Sequence, residues 1–397
     1  MNLLDTYAND CGVKIKSKPS YPDVYFPKPE RYITLHAGSG MDSKNYDLFS
    51  EVTWMVEKYL KKEGIRIVQI GTDDEKPVNN CMIFNGVTNV RQSAHLVKNA
   101  LAHIGNDSFW MHYAGANDIP YIGLYGPTLA DVCKPSFGRG VSIESHRGGK
   151  RASHKDVESP KTINFINPEE VVSEILEVLD LSDIKEETYE TLYVGEDYSK
   201  TIIEVLPDHI LPPNVFSGQV LNIRMDYHFD EILLAQNLRS YEGVVITDKP
   251  ITEETLKSIS RRIKLLTYLF DEKTLSKAFI KELHNSGVNY QLLFQGSMED
   301  LPSIRSELFS YNPVFVKPSG KKPDVNENIS FNGDSYFKTN KFLLSKNQIY
   351  LSLSHLKKGL SVQNESENFQ KLGDFFEDDS FWNESSHYYL LNKNNTI

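Results

Sequence analysis

The sequence predicts an α/β protein with two doubly wound domains and a small C-terminal appendage. Short apolar strand patterns alternate with amphipathic helix patterns from residue 32 onward, and a second series of the same kind follows. An acidic segment with few strand signals separates the two series. We therefore predict four regions, which are a first domain at 1–181, a connector at 182–214, a second domain at 215–317 and a polar appendage at 318–397.

The first series opens with the strand pattern at 32–36, which a glycine-rich turn follows. Its further elements are, in order, a helix at 46–63 closed by Gly64, a strand at 65–70, a weak segment at 83–90, a helix near 93–101, a strand at 102–105, a helix at 108–116, a strand at 121–125 and an amphipathic helix at 169–181. Strands that alternate with helices at this spacing indicate a parallel sheet.

The second series repeats this alternation after the connector. Its predicted strands are 220–225, 243–247, 265–270, 288–294 and 313–317, and its predicted helices are 230–240, 252–263, 273–285 and 298–310. Both domains are therefore expected to be Rossmann-like.

The composition excludes several classes of protein. A net charge of −11 argues against an extended nucleic-acid surface, although it leaves room for a local basic patch. No apolar run approaches the roughly 20 residues of a membrane helix, and the first residues do not resemble a signal peptide. We expect a cytoplasmic protein, with peripheral attachment to a membrane as an open alternative.

Metal and disulfide chemistry have no sequence signal. Cys11, Cys81 and Cys133 are odd in number and far apart, which is typical of reduced thiols. The chain contains neither HExxH nor an Asp-x-Asp triplet. We therefore predict that the protein uses no metal and no other cofactor.

The loops after the predicted strands are the expected ligand-binding region, because ligands of doubly wound sheets bind at the carboxyl ends of the strands. These loops are 37–44, 71–75, 105–112 and 126–128. The first contains glycines that allow close backbone approach to a phosphate, and Lys44 adds a positive charge. Read alone, the glycine turns are equally typical of plain turns, and Asp107 is equally typical of a helix N-cap.

Residues 35–40 (LHAGSG), 67–71 (IVQIG), 104–116 (IGNDSFWMHYAGA) and 119–128 (IPYIGLYGPT) occur in this order and spacing. With Lys44, Trp54 and Glu75, they resemble the nucleotide-binding half of the ADP-heptose:lipopolysaccharide heptosyltransferases, glycosyltransferase family 9. The resemblance covers roughly residues 30–180. It implies a GT-B glycosyltransferase, in which two Rossmann-like domains hold a sugar nucleotide.

Carried over by position, the resemblance implies a donor site of eleven residues. It implies that Ser39, Gly40 and Lys44 lie near the phosphates and that Glu75 lies near the ribose or base. The residues implied to line the sugar and diphosphate are Asp107, Ser108, Phe109 and His112. The residues implied to close the pocket are Gly126, Pro127 and Thr128.

The order of the two halves departs from the family. There the acceptor half comes first, whereas here only about 30 residues precede the nucleotide half. Residues 221–225 (LNIRM), followed by Asp230, resemble the family's opening strand and turn, although Phe229 replaces a glycine. We therefore hypothesise a circularly permuted enzyme in which Asp230 is the catalytic base. The alternative is that Asp230 only caps the helix that follows.

A basic run stands out in this acidic chain. It includes Arg139, Arg147, Lys150 and Arg151. We interpret these residues, together with Arg224, as possible contacts of a phosphate or of an anionic acceptor. A solvated surface loop is the alternative.

The function predicted from the sequence is metal-independent, inverting transfer of a sugar from a nucleoside-diphosphate sugar. The acceptor is not specified: a glycan or lipid-linked sugar is favoured, and a modified nucleic acid is the alternative. Two other functions remain open, a non-catalytic GT-B-like binding or structural protein and a sugar-nucleotide epimerase.

Overall fold

The computed structural model describes residues 2–15, 17–18, 21–184, 187–213, 215–216, 220–317, 320, 322–323, 333–363 and 369–395. The chain divides into two units, one formed by Met1–Thr191 with Lys393–Ile397 and the other by Leu192–Asn392. Each is an α/β structure, as predicted.

The first unit contains a six-stranded sheet flanked by helices. Its elements are α1 (Leu3–Asp10), β1 (Tyr32–His36), α2 (Phe49–Lys62), β2 (Arg66–Gln69), β3 (Met82–Ile83), α3 (Val90–Lys98), β4 (His103–Asn106), α4 (Phe109–Ala116), β5 (Tyr121–Tyr125), α5 (Ala130–Cys133), β6 (Gly140–Glu144) and α6 (Pro168–Val178). All neighbouring strands are parallel, and their order is β3-β2-β1-β4-β5-β6. This is the strand order of the dinucleotide-binding fold, whose direction reverses between β1 and β4.

Burial explains these elements. Every residue of β1 is buried, which is typical of a central parallel strand covered on both faces. Helix α2 buries Phe49, Val52, Val56 and Tyr59 at helical spacing and is followed by Gly64 at φ 66°. Strand β6 was not predicted from the sequence, because only one of its five residues is fully buried and its hydrophobic pattern is weak.

The second unit is built around an eight-stranded sheet. The remaining elements are β7 (Glu187–Val194), β8 (Ile202–Val205), β9 (Val220–Arg224), α7 (Glu231–Ser240), β10 (Glu242–Thr247), α8 (Glu253–Ile259), β11 (Ile263–Phe270), α9 (Lys277–Ser286), β12 (Tyr290–Phe294), α10 (Leu301–Glu307), β13 (Val314–Val316), β14 (Tyr336–Thr339), β15 (Lys341–Ser345), β16 (Gln348–Tyr350), α11 (Leu353–Lys358), β17 (Phe369–Lys371), α12 (Asp379–Trp382) and β18 (Tyr388–Asn395). Strands β7 and β18 cross the boundary between the units. The sheet order is β13-β12-β11-β10-β9-β8-β15-β16.

The strand order of this second sheet differs from that of the first. Strands β8 to β13 lie side by side in chain order and are parallel, and the chain then returns to place β15 on the other side of β8. The reversal of direction therefore falls at β8. A further sheet has the order β17-β14-β18-β7.

Two sequence expectations are corrected here. The segment at 182–214 is not poor in strands, because it contains β7 and β8, and β8 is an integral strand of the second sheet. The polar region after residue 317 is not a separate appendage, because β15 and β16 extend the same sheet. The two strands within 336–345 are anchored by the buried side chains of Phe337, Phe342 and Leu343. Much of the polar stretch at 318–334 lies outside the described residues.

Candidate functional site

Three loops of the first unit meet at the carboxyl ends of β1, β4 and β5. The Asp107 carboxylate follows β4 and accepts a hydrogen bond from Lys44 Nζ, with 2.7 Å between Nζ and Oδ2. The same Oδ2 accepts from Thr128 Oγ1 at 2.9 Å. Asp107 is 7% exposed and the Lys44 side chain 16%. The structure therefore brings together three residues that the sequence predicted to share a site.

Asn106 connects the loop after β1 to the end of β4. Its side chain lies at the end of β4, donates from Nδ2 to Ala37 O at 2.6 Å and accepts from Tyr46 N at 3.4 Å. Asn106 is fully buried, so both contacts are shielded from water. They fix the loop that carries Lys44 against the strand that ends in Asp107.

Ser108 occupies the N-cap position of α4, but its side chain does not cap the helix. Its Oγ lies 3.0 Å from His36 Nδ1 instead. The first-turn N–H groups of an α-helix have no partners within the helix and carry its positive dipole end. The N-terminus of α4 therefore presents donors beside Asp107 and Lys44.

The glycine-rich loop has two different halves. Ser39 Oγ accepts from Met41 N at 3.3 Å, which stabilises the turn, while Gly40 faces open space and is exposed. At Gly38 and at Gly71, by contrast, a Cβ would collide with the Glu75 carboxylate. These two glycines are therefore required for Glu75 to lie beneath the loop.

Glu75 Oε1 accepts from Thr72 N at 3.0 Å and from Thr72 Oγ1 at 3.1 Å, and it lies 3.3 Å from His36 Nε2. Burial acts to raise the pKa of Glu75, but His36 and Thr72 together hold it below its ordinary value. The carboxylate is therefore ionised near neutral pH. The implied contact of Glu75 with a ribose or base stays a prediction.

Helix α4 exposes two of the predicted site residues. Phe109 is 52% exposed and packs edge-on against Trp110 and Tyr21, at ring distances of 5.0 and 6.2 Å. His112 lies one turn after Ser108 and is exposed. Loss of water around its ring lowers the pKa of His112. The negative charge of Asp107 acts to raise this pKa, and the positive charge of Lys44 acts to lower it further. Neutral His112 is thus the expected form near neutral pH.

Arg147 is not free to contact a phosphate, in contrast to the sequence interpretation. Its guanidinium is buried and donates to Gly126 O at 2.6 Å and to Thr128 O at 2.7 Å. A third hydrogen bond, of 2.9 Å, reaches Glu144 Oε1. Arg147 therefore clamps the loop of Gly126, Pro127 and Thr128, because both outer carbonyls of this loop bind one rigid cation.

The rest of the basic run lies on the surface. Lys150 and Arg151 are exposed, and the segment that carries them is attached to two ligand loops by backbone hydrogen bonds. Ser43 N donates to Asp156 O at 2.9 Å, and His154 N donates to Pro127 O at 3.0 Å. The two exposed cations thus belong to a segment that is held beside the Lys44 loop.

Two other predicted cations lie elsewhere. Arg139 is exposed and comes immediately before β6, so it lies at the amino edge of the sheet, opposite the Lys44–Asp107 pair. Arg224 belongs to the second unit and is buried, where it donates to Asp226 and Glu204. Neither residue joins the cluster of the first unit.

Asp230 caps α7 in the second unit. Its Oδ1 accepts from Leu233 N at 2.9 Å, as the alternative reading expected, and the residue is half-buried. Phe229, which replaces the family's glycine, packs against the core of this unit. The structure thus shows the cap, while the catalytic role of Asp230 stays a prediction.

Sequence reasoning missed His36, Asn106 and the clamping role of Arg147. His36 and Asn106 each end a buried strand, and a polar residue at that position was the available signal. Arg147 gave no such signal, because its partners are backbone carbonyls.

Within the described part of the chain, no group of three or more His, Cys, Asp or Glu side chains is arranged to hold a metal ion. Over the same residues, no helix has the length and apolar character needed to cross a membrane. The absence of a metal requirement stays a prediction.

The first unit thus has the strand order of a dinucleotide-binding domain, with a Lys–Asp pair and a helix N-terminus at its ligand edge. Residues 18–162, which lie in this unit, match the family model described as Glycosyltransferase family 9 (heptosyltransferase). The resemblance seen in the sequence is therefore confirmed for this part of the chain.

Two heptosyltransferases are similar to part of the chain. Lipooligosaccharide heptosyltransferase 2 of Haemophilus influenzae is 26% identical over an alignment of 133 residues that covers 30% of this chain and 38% of that protein. Lipopolysaccharide heptosyltransferase 2 of Salmonella typhimurium is 26% identical over an alignment of 137 residues that covers 31% of this chain and 39% of that protein. The chain thus spans about two fifths of the length of these relatives.

Solved structures also align with the chain. The E. coli ADP-heptose lps heptosyltransferase II is 20% identical with a TM-score of 0.31, over 45% of this chain and 51% of that one. A glycosyl transferase family 9 protein from Veillonella parvula is 18% identical with a TM-score of 0.30, over 44% of this chain and 50% of that one.

Proposed function

We propose that the first unit binds a nucleoside-diphosphate sugar and that the protein transfers the sugar to an acceptor hydroxyl. The observation that carries this proposal is the meeting of Lys44, Asp107 and Thr128 at the carboxyl ends of parallel strands. The similarity of residues 18–162 to glycosyltransferase family 9 supports the same conclusion.

Lys44 is suited to a diphosphate because its ammonium group is held in position by one hydrogen bond and has further donors for a ligand. An ammonium group has three donors, and one of them binds Asp107. Asp107 therefore fixes the position of the cation while two protons remain for phosphate oxygens. Thr128, held by Arg147, fixes Asp107 in turn.

The leaving diphosphate needs positive charge that is already in place when its bond to the sugar breaks. Lys44, the N-terminus of α4 and the open backbone around Gly40 would supply it without a metal ion. Exposed Phe109 and neutral His112 would line the sugar and diphosphate, and Glu75 would serve the ribose or base.

The transfer itself requires a base on the acceptor side. We propose Asp230, as the order of motifs in a permuted enzyme implies. The carboxylate would take the acceptor hydroxyl proton while the acceptor oxygen bonds to the anomeric carbon. The bond between that carbon and the diphosphate breaks, its electron pair leaves with the nucleoside diphosphate, and the configuration inverts.

The acceptor class that we propose is a glycan or lipid-linked sugar, processed in the cytoplasm. The resemblance of the sequence to the ADP-heptose:lipopolysaccharide heptosyltransferases makes ADP the first nucleotide to test, with UDP and GDP beside it. The heptose and the lipopolysaccharide in those names belong to the relatives.

The test is release of nucleoside diphosphate from ADP-, UDP- and GDP-sugars with and without candidate acceptors. Release that depends on an acceptor supports transfer, whereas isomerisation of the donor without release would indicate an epimerase. We expect Asp230→Asn to abolish transfer and to leave donor binding unchanged. Asparagine caps helices as well as aspartate, so this variant removes the base and keeps the cap. Asp378→Asn is the matched control, because Asp378 is the N-cap of α12 and its side chain also accepts a backbone hydrogen bond, from Ser380 N at 3.0 Å.

One observation favours a second candidate, a protein that binds nucleotide sugars without transferring them. Asp230 already has a structural partner in Leu233 N, so its presence is explained without catalysis. Normal nucleotide binding with no turnover on any glycan acceptor, in wild type and Asp230→Asn alike, would support this candidate.

A further inference from the structure

His36 joins two of the predicted donor residues and belongs to neither of their loops. It ends β1, is 8% exposed and contacts a different residue through each ring nitrogen. Nδ1 lies 3.0 Å from Ser108 Oγ, and Nε2 lies 3.3 Å from Glu75 Oε1. The ring therefore links the N-terminus of α4 to the carboxylate beneath the glycine-rich loop.

The surroundings of His36 determine which protons it holds. The ionised Glu75 faces Nε2, and an ionised carboxylate only accepts hydrogen bonds, so Nε2 carries a proton. The ring also interacts electrostatically with His103 on β4. Burial, and then the charge of His36, lowers the pKa of His103 to about 3, so His103 is neutral. Glu75 is thus the charged neighbour that stabilises a protonated His36.

The remaining nitrogen, Nδ1, sets the direction of the hydrogen bond to Ser108. When His36 is neutral, Nδ1 has a lone pair and the Ser108 hydroxyl must donate to it. When His36 is protonated, Nδ1–H donates to Ser108 Oγ, and the hydroxyl proton is released for another acceptor. Only the second state offers an O–H donor at the N-terminus of α4.

We propose that His36 is a positioning residue that takes up one proton when a nucleoside-diphosphate sugar binds, so that Ser108 can donate to a phosphate oxygen. This rests on the proposed donor site. Histidine is the side chain whose charge ordinarily changes between pH 5 and pH 8. If one proton is taken up with the donor, donor affinity is highest at low pH and falls as pH rises, by at most tenfold per pH unit.

The experiment is calorimetric titration with ADP-ribose, UDP-glucose and GDP-mannose at pH 7.5, in buffers of different ionisation enthalpy. Sugar diphosphates are used because a terminal phosphate itself titrates near pH 6 and would hide the effect. We expect wild type to take up protons when the donor binds, up to one per site.

His36→Asn is the main variant, because its amide keeps a donor near Ser108 and cannot titrate. We expect no proton uptake and an affinity that changes less than twofold between pH 6 and pH 8. His95→Asn is the matched control, since His95 also pairs with a carboxylate, Asp23, at 2.9 Å, but lies on α3. It should behave as wild type. Ser108→Ala, which leaves His36 and Glu75 in place, should also abolish the uptake.

Two results would overturn the proposal: donor binding by wild type with no proton uptake between pH 6 and pH 8, or uptake that persists unchanged in His36→Asn and Ser108→Ala. If wild type binds none of the three sugar nucleotides, the donor site itself is refuted and the inference fails with it.

Discussion

The two units each contain a cluster of charged side chains at the central strands of a sheet, and the two clusters are built in opposite ways. In the first unit, Lys44 is paired with the Asp107 carboxylate and ends a single 3-10 helical turn, Asp42–Lys44, between β1 and α2. In the second, the Arg224 guanidinium donates to both oxygens of Asp226 at 2.8 and 2.7 Å and to Glu204 at 2.7 Å. Lys44 is paired with one carboxylate and keeps donors for a ligand, whereas Arg224 is held between two buried carboxylates of the fold.

The second cluster extends across three strands. Lys341 on β15 pairs with Glu204 on β8 at 3.0 Å and lies 3.6 Å from Glu384. Burial tends to raise the pKa of Glu204, but the charges of Lys341 and Arg224 hold it below the usual value. Burial raises the pKa of Glu384. The cations of the second unit are therefore balanced by carboxylates of the fold, which is typical of a structural cluster and not of a phosphate site.

The largest expected effect concerns the charged cluster of the second unit, which we call the structural cluster and which contains Glu204, Arg224, Asp226 and Lys341. Arg224→Ala would leave the buried Asp226 carboxylate without the guanidinium and Glu204 with Lys341 alone, so we expect the free energy of unfolding to fall by about 3–5 kcal/mol. Urea unfolding of the whole chain measures this. A loss below 1 kcal/mol would show that the cluster does not support the fold, and Arg239→Ala, in the last turn of α7, is the control.

The next effect tests the ligand site. Lys44→Ala removes the proposed phosphate donor, and a hydrogen bond from a charged group contributes about 1.5–3 kcal/mol, so donor affinity should fall about 10- to 100-fold. Calorimetry with the nucleotide that wild type binds measures this. Lys161→Ala is the control, because Lys161 pairs with Asp42 and Asp47 beside the same loop. Equal affinities for wild type and Lys44→Ala would remove Lys44 from the site.

A smaller effect is expected from the clamp on the loop of Gly126, Pro127 and Thr128. Arg147→Lys keeps the charge but loses the planar fork, so we expect donor affinity to fall about fivefold through misplacement of Thr128. Arg139→Lys, at the opposite edge of the sheet, should have no effect. In combination with Thr128→Val the losses should not add, because both changes act on the same contact to Asp107. Additive losses would contradict the clamp.

The last prediction concerns acid stability in both units. Burial lowers the pKa of His103 to about 3 and that of His355 to about 4. Since the unfolded chain binds these protons near pH 6.5, the stabilising contribution is complete above that pH and is lost as pH falls below it. At pH 5.5 each histidine should cost about 1.4 kcal/mol relative to pH 8. In His103→Asn the loss between these two pH values should be smaller by that amount, and an unchanged loss would exclude His103 as a contributor.

The ligand site was more predictable than the structural cluster, for a physical reason. Lys44, Asp107 and Thr128 follow strands in a fixed chain order, and parallel strands bring such positions to one edge. Arg224 could not be assigned in this way, because Glu204 and Lys341 become its neighbours only through the strand order β9-β8-β15. That order depends on how the strands after residue 317 return to the sheet.

The same distinction applies to single side chains of the first unit. The sequence predicts that Arg147 lies near the loop at 126–128 but not that it turns inward, since its acceptors are backbone carbonyls. His36 lies in the quoted motif at 35–40, yet its two partners come from loops that are 39 and 72 residues away. The fold class and the site region follow from local patterns, whereas hydrogen-bond partners follow from tertiary packing.

We propose that the Lys44–Asp107 pair holds the diphosphate of a nucleotide sugar. The most direct measurement is a crystal structure of the wild-type protein soaked with ADP-, UDP- and GDP-sugars. We predict diphosphate oxygens within hydrogen-bonding distance of Lys44 Nζ and of the first-turn N–H groups of α4, with Lys44 still bound to Asp107. A nucleotide bound elsewhere in the chain, with no phosphate near Lys44, would show that Lys44 and Asp107 do not form the diphosphate site.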